Sequence, residues 1–459
     1  MPRLFRIASA LLSALLAGLV PTFALAHTGE RAQVMLLPTG YYIVGGALAV
    51  LASVVLVAIL PQRRSAAEQR PLLLGSPPFW ISQIPSLATA IAICVLIADG
   101  ILGSSSPVDN PLPGAIWGLF WFGLTAFTLI AGNLWPLLNP WRAILYRPGG
   151  DAPLLSYPAR LGKWPAVIQF FAFAWVELVD PRPADPPHLA LLAAAFLVIN
   201  LGGARLFGLR AWLANAEPFS AYFRLLGMIS PVHWSSPGGV LGVRLAWPGQ
   251  SLVNAPEPSV SEAAFILLVL AAVSFDGLSQ TFLWVGHLGL NPLEFPGRSA
   301  VIIPNTLGLA AMAGLLALAF ATVARGYPAA KRTGLAWPVA AIAVAYHLAH
   351  YLPDAPLAVL RALRAVSDPF GTGLNLFGTG GLQPPASLMM DRPTAQRVYR
   401  AQTGLIVAGH IAAVVVGHLR LARPGLSRRA VFAMELPLNA LMIAYTLFGL
   451  WLLSTPVMG

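Results

Sequence analysis

Ten apolar runs, each near the roughly twenty residues that cross the hydrocarbon core of a bilayer, take up most of this 459-residue chain. They lie near 41–60, 79–102, 114–136, 164–180, 188–205, 260–284, 300–325, 335–353, 402–421 and 431–454. Inside lipid there is no water to satisfy backbone N–H and C=O groups, so runs of this kind fold as helices. The expected fold class is an all-α integral membrane protein, a bundle of about ten transmembrane helices after a cleaved signal peptide. Charged residues make up 10% of the chain and hydrophobic ones 57%, whereas a soluble domain carries about 25% charged. The runs at 164–180 and 188–205 are short, and two spans are expected there rather than one re-entrant pair.

The net charge of +11 does not point to nucleic acid, because the Lys and Arg residues sit in short clusters between apolar runs, as cytoplasmic loops require. Arg63, Arg64 and Arg70 follow the first run. Arg142, Arg147, Arg160 and Lys163 follow the third, and Arg325, Lys331, Arg332, Arg420, Arg423, Arg428 and Arg429 continue the alternation. The start has Arg3 and Arg6, an apolar stretch, and Ala24-Leu-Ala26, which reads as a signal peptide over 1–26. The remainder, 27–459, is then a single polytopic domain in an inner membrane, with both mature termini on the outer side. Cleavage after Ala26 would leave His27 at the new terminus, where amine and imidazole together can chelate a metal such as copper. The single cysteine, Cys94, leaves His, Asp and Glu as the metal donors.

Two connections are long. The inner one, 206–259, contains a partly amphipathic stretch, Ala211 to Met228, expected to lie at the membrane interface. The outer one, 354–401, begins with an interfacial helix from Leu357 to Val366, carrying Arg361 and Arg364, and continues through Ser367-Asp368-Pro-Phe370 into a glycine-rich turn region. Loops of that length often cover a site, which makes Arg361, Arg364 and Asp368 candidate substrate contacts.

The polar residues most in need of a reason are His347 and His350, three apart on one helical face, with His410 in the ninth run and Asp276 in the sixth. The alternation of loops puts all four toward the outer half. Charge at the centre of a membrane helix costs roughly 2.5–3.5 kcal/mol, so several polar groups at one depth suggest a shared site, although each alone is explained by bonding between helices. Three functions use such a set. One is a hydrolase in which His347, His350 and His410, with His27 as a further ligand, bind a divalent metal, zinc or copper, while Asp276 serves as base. Another is an electron-transfer subunit with haem b held between His347 or His350 and His410. The third is a transporter or proton relay, for which His418 and Asn200, deeper in the bundle, are suited. Glu177, Asp180 and His287, at helix ends, are read as solvated at the interface.

Asn139-Pro-Trp-Arg142, Pro218-Phe-Ser-Ala-Tyr-Phe223, Ser274-Phe-Asp-Gly277, Ala345-Tyr-His-Leu-Ala-His-Tyr351, Ser367-Asp-Pro-Phe-Gly371 and Gly409-His410 give the chain a further character. Together with the signal-like start ending in His27, it resembles a family of bacterial multi-span membrane proteins known as fenitrothion hydrolases. The resemblance implies a small-molecule ester substrate, an organophosphorus triester whose P–O bond is cleaved to release a phenol, and a second membrane subunit as a possible partner beside the lipid. It supplies no established catalytic set, so the candidate residues remain those placed by depth.

Overall fold

The computed structural model describes residues 39–59, 71–75, 79–145, 153–235, 240–382, 392–421 and 427–457. The signal segment 1–26, His27, Arg63, Arg64, Arg70, Arg147 and Arg423 lie outside them, as do 383–391 of the outer loop. The helices used below are α1 (Thr39–Ile59), α2 (Phe79–Leu102), α3 (Trp164–Leu178), α4 (Pro186–Phe207), α5 (Pro218–Ile229) and α6 (Val260–Ser279). They continue with α7 (Ile302–Ala324), α8 (Ala336–Tyr351), α9 (Ala355–Ala365), α10 (Arg392–Leu421) and α11 (Arg428–Ser454). A π-helix, Gly114–Leu124, forms the first half of the third apolar run.

Each of the ten runs is helical, and among the described residues eight helices are long and apolar enough to cross a membrane. The chain is thus an all-α membrane protein in its main features. The other two runs give shorter helices: α3 has 15 residues, and α8 has 16 before the chain bends by 71° into α9. Pro353 lies in that bend and Pro356 in the first turn after it, where a proline has no backbone donor to offer. The runs at 164–180 and 188–205 form two helices with different neighbours, α3 against α5 and α6, and α4 against α2.

At the centre is α6. Of its apolar window 78% is buried in protein, against 17–22% for the windows of α1, α2, α4 and α7. It packs on α3, α7 and α8; α8 packs on α10, and α10 and α11 pack on each other and on α1. With little hydrophobic drive between helices in lipid, close packing of small residues holds such a bundle. Gly409 of α10 shows this: a Cβ there would stand 2.3 Å from the Ala345 Cβ of α8.

Hydrogen bonds and ion pairs sort the helix ends into two sets. At one end Lys163 donates from its backbone N–H to Ser261 Oγ at 2.8 Å, Arg224 meets Glu262 at 2.5 Å, and Lys331 meets Glu257 at 2.7 Å. At the other, Gln402 donates to the Ala349 carbonyl at 2.8 Å, Phe282 N–H to the Pro456 carbonyl at 3.0 Å, and Tyr399 meets Ser454 at 2.7 Å. Lys163, Arg224 and Lys331 thus lie together at one end of the bundle.

Between Ala211 and Met228 the expected single interfacial helix is broken. Leu209–Asn215 ends, Glu217 caps α5 by accepting from Phe219 N–H at 2.9 Å and Ser220 N–H at 2.6 Å, and Pro218 takes the first helical position, where its missing N–H costs nothing. Nor does α5 lie on the surface: Tyr222, Phe223 and Leu226 are fully buried. Trp135 adds a third donor to the Glu217 carboxylate, at 3.1 Å, while burial pushes the Glu217 pKa up. A small three-stranded antiparallel sheet, Leu72–Gly75, Leu241–Leu245 and Val232–Ser235 in that spatial order, ties this region to the chain after α1. The helix expected over Leu357–Val366 is α9. Its Ala358 and Ala362 press on the π-helix, where a Cβ at Gly118 would stand 3.0 Å from the Ala358 carbonyl oxygen.

Candidate functional site

Three helix ends meet at the end of the bundle remote from Lys163 and Lys331. Asp276 lies in the last turn of α6, His350 and Tyr351 close α8, and Glu177 is the penultimate residue of α3. Each end is fixed locally. Ser279 donates from Oγ to the Asp276 carbonyl at 3.0 Å and Thr281 caps the next short helix by accepting from Trp284 N–H at 3.1 Å, so α6 stops just past its aspartate. Arg298 donates from Nη1 to the carbonyls of Glu177 at 2.6 Å and Asp180 at 3.4 Å, meeting acceptors that the end of α3 leaves open.

His350 Nε2 lies 2.7 Å from Asp276 Oδ2. The other carboxylate oxygen, Oδ1, accepts from Gln280 Nε2 at 2.8 Å. The Tyr351 hydroxyl stands between two acids, 2.5 Å from Glu177 Oε1 and 3.3 Å from Asp276 Oδ2. A phenol has one proton, and the shorter contact assigns it to Glu177, which leaves His350 and Gln280 to hold Asp276. With 18% of its side chain exposed against 9% for Asp276, His350 is the member of the pair that a molecule at the surface can reach.

His347 is elsewhere. Three residues from His350 is about 60° around a helix, enough here to give the two rings different neighbours. His347 points into an aromatic cage, edge-on to Trp121 with ring centres 4.6 Å apart, and within 6.1 Å of Tyr222 and 4.6 Å of Tyr351. It is 1% exposed and its Nε2 has no hydrogen-bond partner. α10 meets the far side of α8, at Ala345, two residues or about 200° from His347. His410 accordingly packs toward α11, its ring 6.5 Å from that of Tyr445. The three histidines expected to share a metal are thus divided among three surroundings. Among the described residues no three His, Cys, Asp or Glu side chains are grouped to hold an ion. The arrangement with haem between α8 and α10 likewise lacks facing imidazoles, since both histidines of α8 turn to other helices.

Of the loop candidates, Arg361 and Arg364 are exposed, while Ala358 and Ala362 of the same helix face the π-helix. Asp368 is taken up by its own turn, accepting from Gly373 N–H at 3.1 Å and Leu374 N–H at 2.9 Å. Asn200 is structural: it donates to Gln169 Oε1 at 2.9 Å and accepts from Trp212 at 2.9 Å. Asp180 pairs with His188 at 2.6 Å. Glu177 and Tyr351 are the site members that sequence reasoning passed over. The signal for Glu177 was present, as the only charged residue in a 15-residue apolar helix. In comparisons with family models, curated proteins and solved structures, nothing matches this chain, so the site stands on its own geometry.

Proposed function

We propose that this chain is a membrane-embedded hydrolase of organophosphorus esters, working at the outer face of a bacterial inner membrane. The His350–Asp276 contact carries the reading. A carboxylate 2.7 Å from an imidazole nitrogen fixes the ring and stabilises the imidazolium formed when the other nitrogen takes a proton. Water attacks phosphorus as His350 accepts its proton, a new P–O bond forms, and the bond to the aryl oxygen breaks with the phenolate leaving. Arg298, beside Glu177, offsets negative charge growing on the phosphoryl oxygen. Tyr351 and Glu177 hold the wall of the site through their 2.5 Å bond.

The substrate class is supported by the resemblance in the motifs around Asp276, His347 to Tyr351, and His410. Facing of the site toward the periplasm, with both termini on that side, is supported by the gathering of Lys163, Arg224, Lys331 and Arg420 at the opposite end of the bundle. The test is release of nitrophenolate from a nitrophenyl phosphotriester by detergent-purified protein, compared with His350→Ala. Turnover is expected in the native chain and loss to the buffer rate in the variant. Native protein that is folded and monodisperse but releases no nitrophenolate would sink the reading.

A further inference from the structure

We propose that side chains of α6, α8, α10 and α11 form a proton path through the bundle, from His418 and Glu435 near the basic end to His350 and Asp276 at the other. This function goes beyond ester hydrolysis and does not rest on it, although the path ends at the same His350–Asp276 pair.

The path begins beside a charged cluster. Arg420 donates from Nη1 to the carbonyls of Leu252, Val253 and Ala255 at 2.7, 3.1 and 2.9 Å, and shares Glu257 Oε1 with Lys331. Two residues away, about 3 Å along α10, His418 Nδ1 lies 2.8 Å from Glu435 Oε1 of α11, with both residues buried. Asn439, one turn further along α11, is buried as well.

His410 follows, eight residues from His418 or about 12 Å along the helix. Its Nδ1 lies 2.9 Å from the Ile406 carbonyl oxygen. A carbonyl only accepts, so Nδ1 carries the proton of the neutral ring and Nε2 presents a bare lone pair. That atom is buried and has no hydrogen-bond partner. Leaving a buried polar group unsatisfied costs about 1–3 kcal/mol, a poor arrangement for a residue whose only task is to join helices.

The Tyr445 ring is 6.5 Å from that of His410. Its hydroxyl bonds to Ser274 Oγ, and Ser274 in turn donates to the Leu270 carbonyl at 2.7 Å. Because that spends the only proton of Ser274, Tyr445 is the donor in the bond between α11 and α6. Asp276 is two residues past Ser274, about 200° around α6, so the link onward runs through Tyr346, whose ring packs on Gly449 of α11. The Tyr346 hydroxyl and His350 Nδ1 both border Gly277, at 3.8 and 3.9 Å from the position of a Cβ there. From Glu435 to Tyr445 is ten residues, about 15 Å. With the groups at either end, the file covers most of a hydrocarbon core about 30 Å thick.

Imidazoles and carboxylates along it accept and release protons, and hydroxyls relay by accepting on one side while donating on the other. The path requires short files of water across the intervals around His410, the longer of which is about 12 Å. A proton taken at Nε2 makes His410 imidazolium, and loss of that proton to the next water restores the neutral ring, so only N–H and O–H bonds change.

The full chain, reconstituted into phosphatidylcholine–phosphatidylglycerol vesicles that contain a pH-sensitive dye, is driven by a potassium diffusion potential set with valinomycin. Proton entry faster than in protein-free vesicles is expected. It should fall to the vesicle background in His410→Leu and in Tyr445→Phe, and persist in His287→Ala, an exposed site off the path. Tyr445→Phe removes one oxygen and keeps the ring, so it decides the matter if His410→Leu fails to fold. Native vesicles no faster than protein-free ones, or a native flux that Tyr445→Phe leaves intact, overturns the proposal.

Discussion

Of the three imidazole–carboxylate pairs among the described residues, two from the middle of the bundle stand at nearly the same separation, His350–Asp276 at 2.7 Å and His418–Glu435 at 2.8 Å. Distance does not tell them apart; their company does. The first stands where three helices end, with Gln280 also on its aspartate and a second acid, Glu177, bonded to the neighbouring Tyr351 phenol. The second joins two long helices, from His418 in the last turn of α10 to Glu435 about two turns into α11, and its members are the more deeply enclosed, at 10% and 5% side-chain exposure. A pair at a junction of helix ends can meet a substrate from outside. A pair enclosed along a helix interface can hold the helices and pass a proton.

The sharpest way to break that contrast is to neutralise each acid in turn. Asp276→Asn is expected to lower phosphotriester turnover by about a thousandfold, because His350 loses the carboxylate that orients it and stabilises its protonated form. Glu435→Gln should leave turnover per folded molecule within about twofold, because it touches no reacting group. Equal losses in nitrophenolate release would erase the distinction. Next in size, Glu435→Ala strands a buried imidazole and is expected to cost about 3 kcal/mol of stability, read as a lower denaturation midpoint of the detergent-solubilised protein. Tyr351→Phe removes the phenol between the two acids. One hydrogen bond of about 1.4 kcal/mol corresponds to roughly tenfold in turnover, whereas the same assay on Tyr445→Phe should show no change. Smallest is Gln280→Ala, with an expected drop of about two- to threefold from loss of one contact to Asp276, checked in the same steady-state assay.

Much of the bundle was legible because apolar length and loop charge are local properties. Each of the ten runs is helical, and the Lys163 and Lys331 ends lie together as their loops require. Ala211 to Met228 misled because its apolar periodicity is real, yet Glu217 and Pro218 restart the helix and its neighbours bury it. Within the site, Asp276 and His350 were visible as polar residues at matching depth. His347 was equally visible, but a 60° difference in facing gives it Trp121 in place of an acid. Facing is set by the helices that surround α8, and spacing along one helix does not contain it. Glu177 was discounted as a solvated helix end because nothing local shows that Tyr351 and Arg298 reach it.

The enclosure of α6 also bears on how the bundle is made. A helix buried over 78% of its apolar window is the surface on which α3 and α8 settle, yet it is the sixth of the ten apolar runs to leave the ribosome. During synthesis α3 must wait in the bilayer, short and carrying Glu177, until Val260–Ser279 arrives beside it. A chain stopped before residue 260 would hold an intramembrane acid with neither Tyr351 nor Arg298 to meet it, a state suited to recognition by membrane quality-control proteases.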